Sequence, residues 1–200
     1  MHKVFVSYYH HDDQCYKDTL VKWAKDNGVF IDGSVDTGDI DDGLDDQEIR
    51  EIIRDDYLRD TSITIVLVGP NTRHRKHVDW EIYSSMYDGK VNKKSGIVVV
   101  LLPTTNNTHC HIPFANEKSA IYPEIKDWTH LDDRWEYESR YPELPERIID
   151  NLMKDGVNIS VVNWNKLTPD NFRMMLDNAY ESRTKQEYDL SRPMRRRNAF

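Results

Sequence analysis

The feature that most constrains the fold is an apolar run that is cut off by a turn. Residues 63–68 (ITIVLV) are β-branched or apolar and carry no charge. Such a short run is typical of a strand covered on both faces, as in a parallel sheet. Gly69 and Pro70 follow at once and end the strand. The chain is therefore expected to build helices on both sides of this strand.

A helix carrying one glutamate is predicted directly after this strand. Val78, Ile82 and Met86 recur at four-residue spacing, which places them on one helix face that can pack on the sheet. Glu81 is expected to lie outside that apolar stripe. A carboxylate just past the carboxyl end of a parallel strand occupies the place where open α/β sheets bind ligands.

The rest of the chain alternates between strand and helix patterns. This alternation predicts an α/β fold with a flavodoxin-like, doubly wound parallel sheet and right-handed crossovers. A long loop is expected over residues 103–120. The other predicted strands are 3–8, 29–31, 96–102 and a short edge strand within 125–131; the other predicted helices are one capped by Asp12 or Asp13, one capped by Asp45 or Asp46, and one over 144–153.

Two units are expected, a core over residues 1–155 and a C-terminal extension over residues 156–200 that packs on it. Thr168-Pro169 predicts a helix start in the extension. An apolar stripe follows and needs a surface to cover. The final ten residues, SRPMRRRNAF, lack an apolar period and are predicted to form a solvated basic tail.

Charge and cysteine content narrow the class of protein. The net charge of -8 argues against a general binder of nucleic acid or of anionic membranes. Two cysteines, Cys15 and Cys110, lack metal-site spacing and suggest reduced thiols. There is neither a secretory signal pattern nor an apolar run that spans a bilayer, so a cytoplasmic location is expected.

The order of four segments resembles a known family. The strand VFVSYYHHDD, the strand end IVLVGPNT, the loop RHRKHVDWEI and the strand IVVVLL are similar to the bacterial TIR-like proteins, in particular the TIR subunit of the Thoeris anti-phage system. The resemblance covers residues 3–102 well and residues 103–155 loosely.

This resemblance implies an enzyme that uses NAD as a substrate, without a further cofactor or metal. The family's catalytic glutamate, which cleaves the bond between nicotinamide and ribose, matches Glu81. Family members often carry a tryptophan four residues earlier, where this chain has His77. The end of the first strand and the glycine- and aspartate-rich loop over residues 32–46 would frame the nucleotide. The implied substrate-binding residues are Ser7, Tyr8, Tyr9, His10, Asp45, His77 and Trp80.

The chemistry needs only one carboxylate. Nicotinamide in NAD is a pyridinium cation and leaves as a neutral molecule, so no general acid is required. The carboxylate would stabilise the developing oxocarbenium ion or trap it covalently. If water is excluded, another nucleophile captures the cation and gives a cyclic or conjugated ADP-ribose. The resemblance implies that this product signals to a separate effector protein, and it leaves open a phage-derived activator and a homo-oligomer.

Other interpretations remain open at this stage. A TIR-like module that only assembles with partners would tolerate replacement of Glu81, since an early helix glutamate is commonly a surface residue. Nucleoside deoxyribosyl transfer uses similar glutamate chemistry on a related fold. A phosphorelay receiver is disfavoured because the third strand ends in Val68-Gly69-Pro70, without an aspartate. The basic loop Arg73–His77 either binds phosphate at a helix N-terminus or is simply solvated.

Overall fold

A five-stranded, all-parallel sheet forms the centre of the protein. The computed structural model describes residues 1–34, 43–89 and 93–199. The strand order is β2-β1-β3-β4-β5, and every neighbouring pair is parallel. The flavodoxin-like α/β arrangement predicted from the sequence is therefore confirmed. The strands are β1 (Lys3–Ser7), β2 (Ile31–Asp32), β3 (Ile63–Val68), β4 (Gly96–Leu101) and β5 (Ser160–Asn163).

Helices cover both faces of this sheet. Tyr9 precedes α1, so the prediction that Asp12 or Asp13 caps it was wrong; both lie in its first turn. The predicted cap Asp45 is confirmed, since its side chain accepts from the backbone N–H of Gln47 and Glu48. The helices are α1 (His10–Asp26), α2 (Asp46–Ile52, continued by a π-helical turn over Ile53–Tyr57), α3 (Lys76–Met86), α4 (Ala115–Ile121), α5 (Arg134–Arg140), α6 (Glu146–Leu152) and α7 (Pro169–Ser182).

Alternation along the strands divides the core into two layers. In β1, Val4 and Val6 belong to the apolar cluster that α1 and α7 also enter. Phe5 points to the other face, where α2 and α3 supply its neighbours. Ser7 lies two residues after Phe5, so its side chain points to the same face of the sheet and also faces α3.

The C-terminal segment supplies part of the sheet itself. The edge strand predicted within residues 125–131 was wrong, since those residues form no strand; β5 lies at Ser160–Asn163 instead. The predicted loop over residues 103–120 also contains most of α4. Both β5 and α7 thus come from residues 156–200, and α7 packs directly on β4.

The prediction of a solvated C-terminal tail was wrong. In the C-terminal tail, residues 191–199, the Met194 side chain is only 3% exposed and packs in the cluster that contains Phe5 and Trp80. Arg147, which is fully buried, donates hydrogen bonds to the carbonyl oxygens of Arg192 and Pro193. Backbone and side-chain bonds dock the tail against α3 and α6.

No helix in the described part of the chain has the length and apolar character needed to cross a membrane.

Candidate functional site

The carboxyl end of β1 meets α3 through a buried pair of side chains. Ser7 Oγ donates a hydrogen bond of 2.6 Å to Oε2 of Glu81. Ser7 is fully buried, and Glu81 is only 4% exposed. The pair forms because Ser7 is the last residue of β1, on the face that α3 covers, and α3 returns across that strand end.

Glu81 lies on the buried face of its helix, so the expectation that it falls outside the apolar stripe was wrong. It follows Val78 by three residues and precedes Ser85 by four, and residues at these spacings are neighbours on a helix surface. Val78 and Ser85 are both buried. The buried face of α3 is therefore wider than the four-residue series of apolar residues alone indicates.

The surroundings of Glu81 favour its neutral form. Burial raises the pKa of Glu81 from 4.5 to about 8, and the hydrogen bond from Ser7 opposes that shift. At neutral pH the resting side chain is thus mostly protonated. An arriving cation would favour the carboxylate, because an opposite charge stabilises the ionised form.

The residues after Ser7 differ in their exposure. The Tyr8 side chain is buried, donates a 2.6 Å hydrogen bond to Gln14 and stacks on His10, with ring centroids 4.3 Å apart. His10 is exposed as the first residue of α1. Tyr9 is half-buried, and the Arg75 guanidinium lies 4.0 Å from its ring centroid. Tyr8 and His10 therefore form one stacked pair, while Tyr9 points toward the basic loop.

The other implied binding residues make contacts elsewhere on α2 and α3 and with the tail. Asp45 is exposed and caps α2. His77 is exposed, and its ring packs edge-on against Trp80 at 4.9 Å. The Trp80 side chain is buried in the cluster with Phe5, and its Nε1 donates to the carbonyl oxygen of Arg195. Residues 35–42 of the expected nucleotide-framing loop lie outside the described residues.

Sequence reasoning missed one buried carboxyl at this edge of the sheet. Asp13 on α1 was considered only as a cap, yet it is 2% exposed and burial raises its pKa to about 6. It packs against Gly69 just beyond β3, where a Cβ atom would come within 2.6 Å of its carboxylate oxygen. The sequence signal was Gly69, because a residue without a Cβ atom lets the Asp13 carboxylate approach the backbone closely.

A second buried serine–glutamate pair has the same geometry as the first. Ser160 Oγ on β5 donates a 2.6 Å hydrogen bond to Oε2 of Glu117 on α4. Burial raises the pKa of Glu117 to about 7, although Asn178 also donates to it at 2.8 Å. The geometry of Ser7 and Glu81 is thus shared by another strand–helix contact, and the position of Glu81 at the carboxyl edge of β1 is what distinguishes it.

Among the residues that the structure describes, no group of three or more His, Cys, Asp or Glu side chains is arranged to hold a metal ion.

A comparison with models of protein families matches residues 5–107 to the family described as Thoeris protein ThsB, TIR-like domain. The matched segment runs from within β1 to beyond β4 and contains both Ser7 and Glu81. It spans just over half of the chain. No curated protein matches the sequence.

Proposed function

This chain belongs to the family of Thoeris ThsB proteins with a TIR-like domain, and on that premise we propose that it consumes NAD, with Glu81 as the catalytic carboxylate. Members of this family contain a TIR-like module that is associated with defence. The observation that carries the enzymatic proposal is the buried hydrogen bond between Ser7 and Glu81 at the carboxyl edge of the sheet. This is the edge at which open α/β folds bind their ligands.

The raised pKa of Glu81 fits a substrate that brings its own positive charge. In the resting protein the burial that raises the pKa to about 8 keeps the side chain mostly neutral. The pyridinium of NAD lowers that pKa when it binds nearby, so that the carboxylate forms next to the cation. The C1′–N bond then breaks, its electron pair moves to the nicotinamide nitrogen, and Glu81 stabilises the oxocarbenium ion left on the ribose.

Shielding from water favours products other than free ADP-ribose. Glu81 is only 4% exposed, and the aromatic ring of Tyr8 is buried just beyond Ser7 in the chain. In such a site a hydroxyl or ring nitrogen of the substrate, or a second molecule, captures the cation before water does. We propose a cyclic or conjugated ADP-ribose that activates a separate effector protein in anti-phage defence.

Access to Glu81 requires movement of the residues that cover it, because its carboxyl is almost completely buried. A phage-derived activator or assembly into a homo-oligomer would supply that opening. Activity is therefore to be sought under conditions that include infection.

The test compares nicotinamide release and nucleotide products from NAD for three proteins: wild type, Glu81→Gln and Glu117→Gln. The Glu117 variant is a matched control, because it also removes a buried carboxyl that bonds a strand serine. Both pure proteins and lysates of infected cells are assayed. We expect activity in wild type and in the control and its loss in Glu81→Gln; equal activity in all three would remove Glu81 from the chemistry.

A non-catalytic assembly module is the alternative, and the Glu117–Ser160 pair is the observation that favours it. Two equivalent pairs in one protein are consistent with a structural role for both. This alternative predicts that none of the three proteins releases nicotinamide while all three still support phage defence. Loss of defence in Glu81→Gln alone, with unchanged thermal stability, would contradict it.

A further inference from the structure

A cavity of about 290 Å³ lies where the C-terminal tail meets the beginnings of α3 and α6. Four arginines contribute to its lining. Two of them, Arg73 and Arg75, come from the loop before α3, and the other two, Arg192 and Arg195, come from the tail. The tail and the loop thus build one basic cavity together.

The two carboxylates that line this cavity are already engaged. Both oxygens of Asp79 accept from Arg147, at 2.9 and 3.1 Å, and Oδ2 also accepts from the backbone N–H of Arg195. Oε2 of Glu146 lies 2.9 Å from Arg192 and 3.5 Å from Arg195. Arg192 is also bonded by both oxygens of Asp150, so carboxylates engage its whole guanidinium, whereas Arg73 and Arg75 have no carboxylate partner among the described residues.

Arg73 and Arg75 make no ion pair with any carboxylate in the described part of the chain. Arg73 donates to the carbonyl oxygen of Pro142. Arg75 stacks on Tyr9, and its buried Nε has no hydrogen-bond partner among the described residues. His74 between them has a lowered pKa, through burial first and then through the charges of the surrounding arginines. The cavity therefore carries a positive potential and an unused donor.

We propose that this cavity binds a small phosphorylated anion, with a diphosphate as the best match. Planar guanidinium groups bind phosphate oxygens in pairs, and arginines on two sides of one cavity suit an anion with two charged centres. The diphosphate can be inorganic pyrophosphate or part of a nucleotide, and the experiment below separates the two sources.

This anion site is distinct from the proposed catalytic site. Asp79, which lines the cavity, and Glu81 are two residues apart on α3. Residues at that spacing do not share a helix face, so the cavity and the Ser7–Glu81 pair lie on different sides of α3. Pyrophosphate has no nicotinamide bond to cleave, so its binding neither needs nor tests NAD cleavage.

A bound anion would bridge the tail to the start of α3. Arg73 and Arg75 would bind it from the loop and Arg195 from the tail, and the backbone of Arg195 already bonds both Asp79 and Trp80. Occupancy of the cavity is therefore expected to slow proteolysis of the tail as well as to stabilise the whole chain.

The experiment is calorimetric titration of the full chain with inorganic pyrophosphate and, separately, with ADP-ribose. We expect saturable binding that is weakened about tenfold for each arginine removed, and so about a hundredfold in the Arg73→Gln/Arg75→Gln double variant. Arg59→Gln is the matched control, because Arg59 is exposed and lies outside the cavity lining. Glu81→Gln is expected to bind pyrophosphate like wild type, because pyrophosphate has no ribose to place against that residue.

The relative affinities for the two anions identify the ligand or overturn the proposal. Tighter binding of ADP-ribose than of pyrophosphate, if the Arg73→Gln/Arg75→Gln variant weakens it, identifies a nucleotide diphosphate as the ligand class, and the reverse order identifies an inorganic one. Binding that this variant does not weaken overturns the proposal. Absence of saturable binding of either, or equal weakening by Arg59→Gln, overturns the proposal. The Arg73→Lys/Arg75→Lys variant keeps the charge and loses the planar donors; it is expected to bind at an intermediate level, and it replaces the glutamine variant if that one fails to fold.

Discussion

Ser7, the last residue of β1, donates a 2.6 Å hydrogen bond to Glu81 in the middle of α3. Burial raises the pKa of this carboxyl and the hydrogen bond lowers it, and burial has the larger effect. The ionisation of Glu81 is therefore adjustable through a single neighbouring hydroxyl.

The first prediction concerns the pH dependence of NAD cleavage under the activating conditions. The reactive form of Glu81 is the carboxylate, and in the free protein its pKa is about 8. We expect kcat/KM to rise between about pH 6 and about pH 9, with a midpoint that reports this pKa. A flat profile over that range would contradict the role given to Glu81.

Replacing the serine shifts the same profile. Ser7→Ala removes the hydrogen bond that lowers the pKa of Glu81, so the midpoint is expected to move to higher pH and the activity at neutral pH to fall. Ser160→Ala makes the equivalent change at Glu117 and is expected to leave the profile where it is. A shift of equal size in both variants would indicate a general effect on folding.

The second prediction concerns stability against pH. Glu81 has a pKa of about 8 in the folded protein and 4.5 ordinarily, so the folded state holds a proton that the unfolded state has released. Its contribution to stability is full below about pH 4.5 and is lost as the pH rises through about 8. Glu81→Gln has no such proton, and its stability relative to wild type is expected to increase by roughly 4–5 kcal/mol over this range. Urea denaturation at both ends of the range measures the difference, and a constant difference would contradict the raised pKa.

The third prediction tests the docking of the tail. Met194 is 3% exposed in the cluster with Trp80, so Met194→Ala is expected to lower the free energy of unfolding by about 2–4 kcal/mol. Met153 is 40% exposed, and Met153→Ala is expected to cost less than about 1 kcal/mol. If urea denaturation shows similar losses in the free energy of unfolding for both variants, the tail is not packed in solution.

The fourth prediction tests the contact between α7 and the sheet. A Cβ atom on Gly96 would lie 2.3 Å from the backbone oxygen of Ala179, which cannot move without displacing α7. Gly96→Ala is expected to destabilise the protein by about 3 kcal/mol or more. Gly33→Ala is the control, since the atoms nearest to its Cβ would belong to the side chains of Thr61 and Lys3 and not to the backbone. If thermal unfolding shows that both variants lose the same stability, α7 does not pack closely against β4 at Gly96.

The middle of the sheet could be predicted because β3 and β4 are six residues long and carry no charge, whereas the two-residue β2 was predicted at 29–31 and lies at Ile31–Asp32. Residues 63–68 form a strand with the predicted bounds, because the charge-free run begins after Ser62 and ends at Gly69 and Pro70. The start of α7 at Pro169 was equally clear, because Thr168 supplies a side-chain cap just before it. The strand β5 was missed because only four residues form it, and two of them, Ser160 and Asn163, are polar.

The catalytic candidate was found by resemblance, while its burial was not foreseen. Glu81 was expected only to lie outside the series of Val78, Ile82 and Met86, and that spacing does not indicate that the neighbouring part of the helix is also buried, with Glu81 bonded to Ser7 on β1. The docked tail escaped prediction for a different reason. Apart from the side chains of Met194 and Asn198, the tail contacts α3 through its backbone, and backbone hydrogen bonds produce no periodic pattern in the sequence.

The contacts of Arg195 have one further consequence. Its N–H bonds Asp79 and its carbonyl oxygen accepts from Trp80, so the helix holds the main chain and not the side chain at this position. Any amino acid except proline offers the same two groups. Relatives of this protein could thus exchange this residue freely during evolution and keep the tail in place, which leaves the side chain available to adapt to whatever occupies the basic cavity.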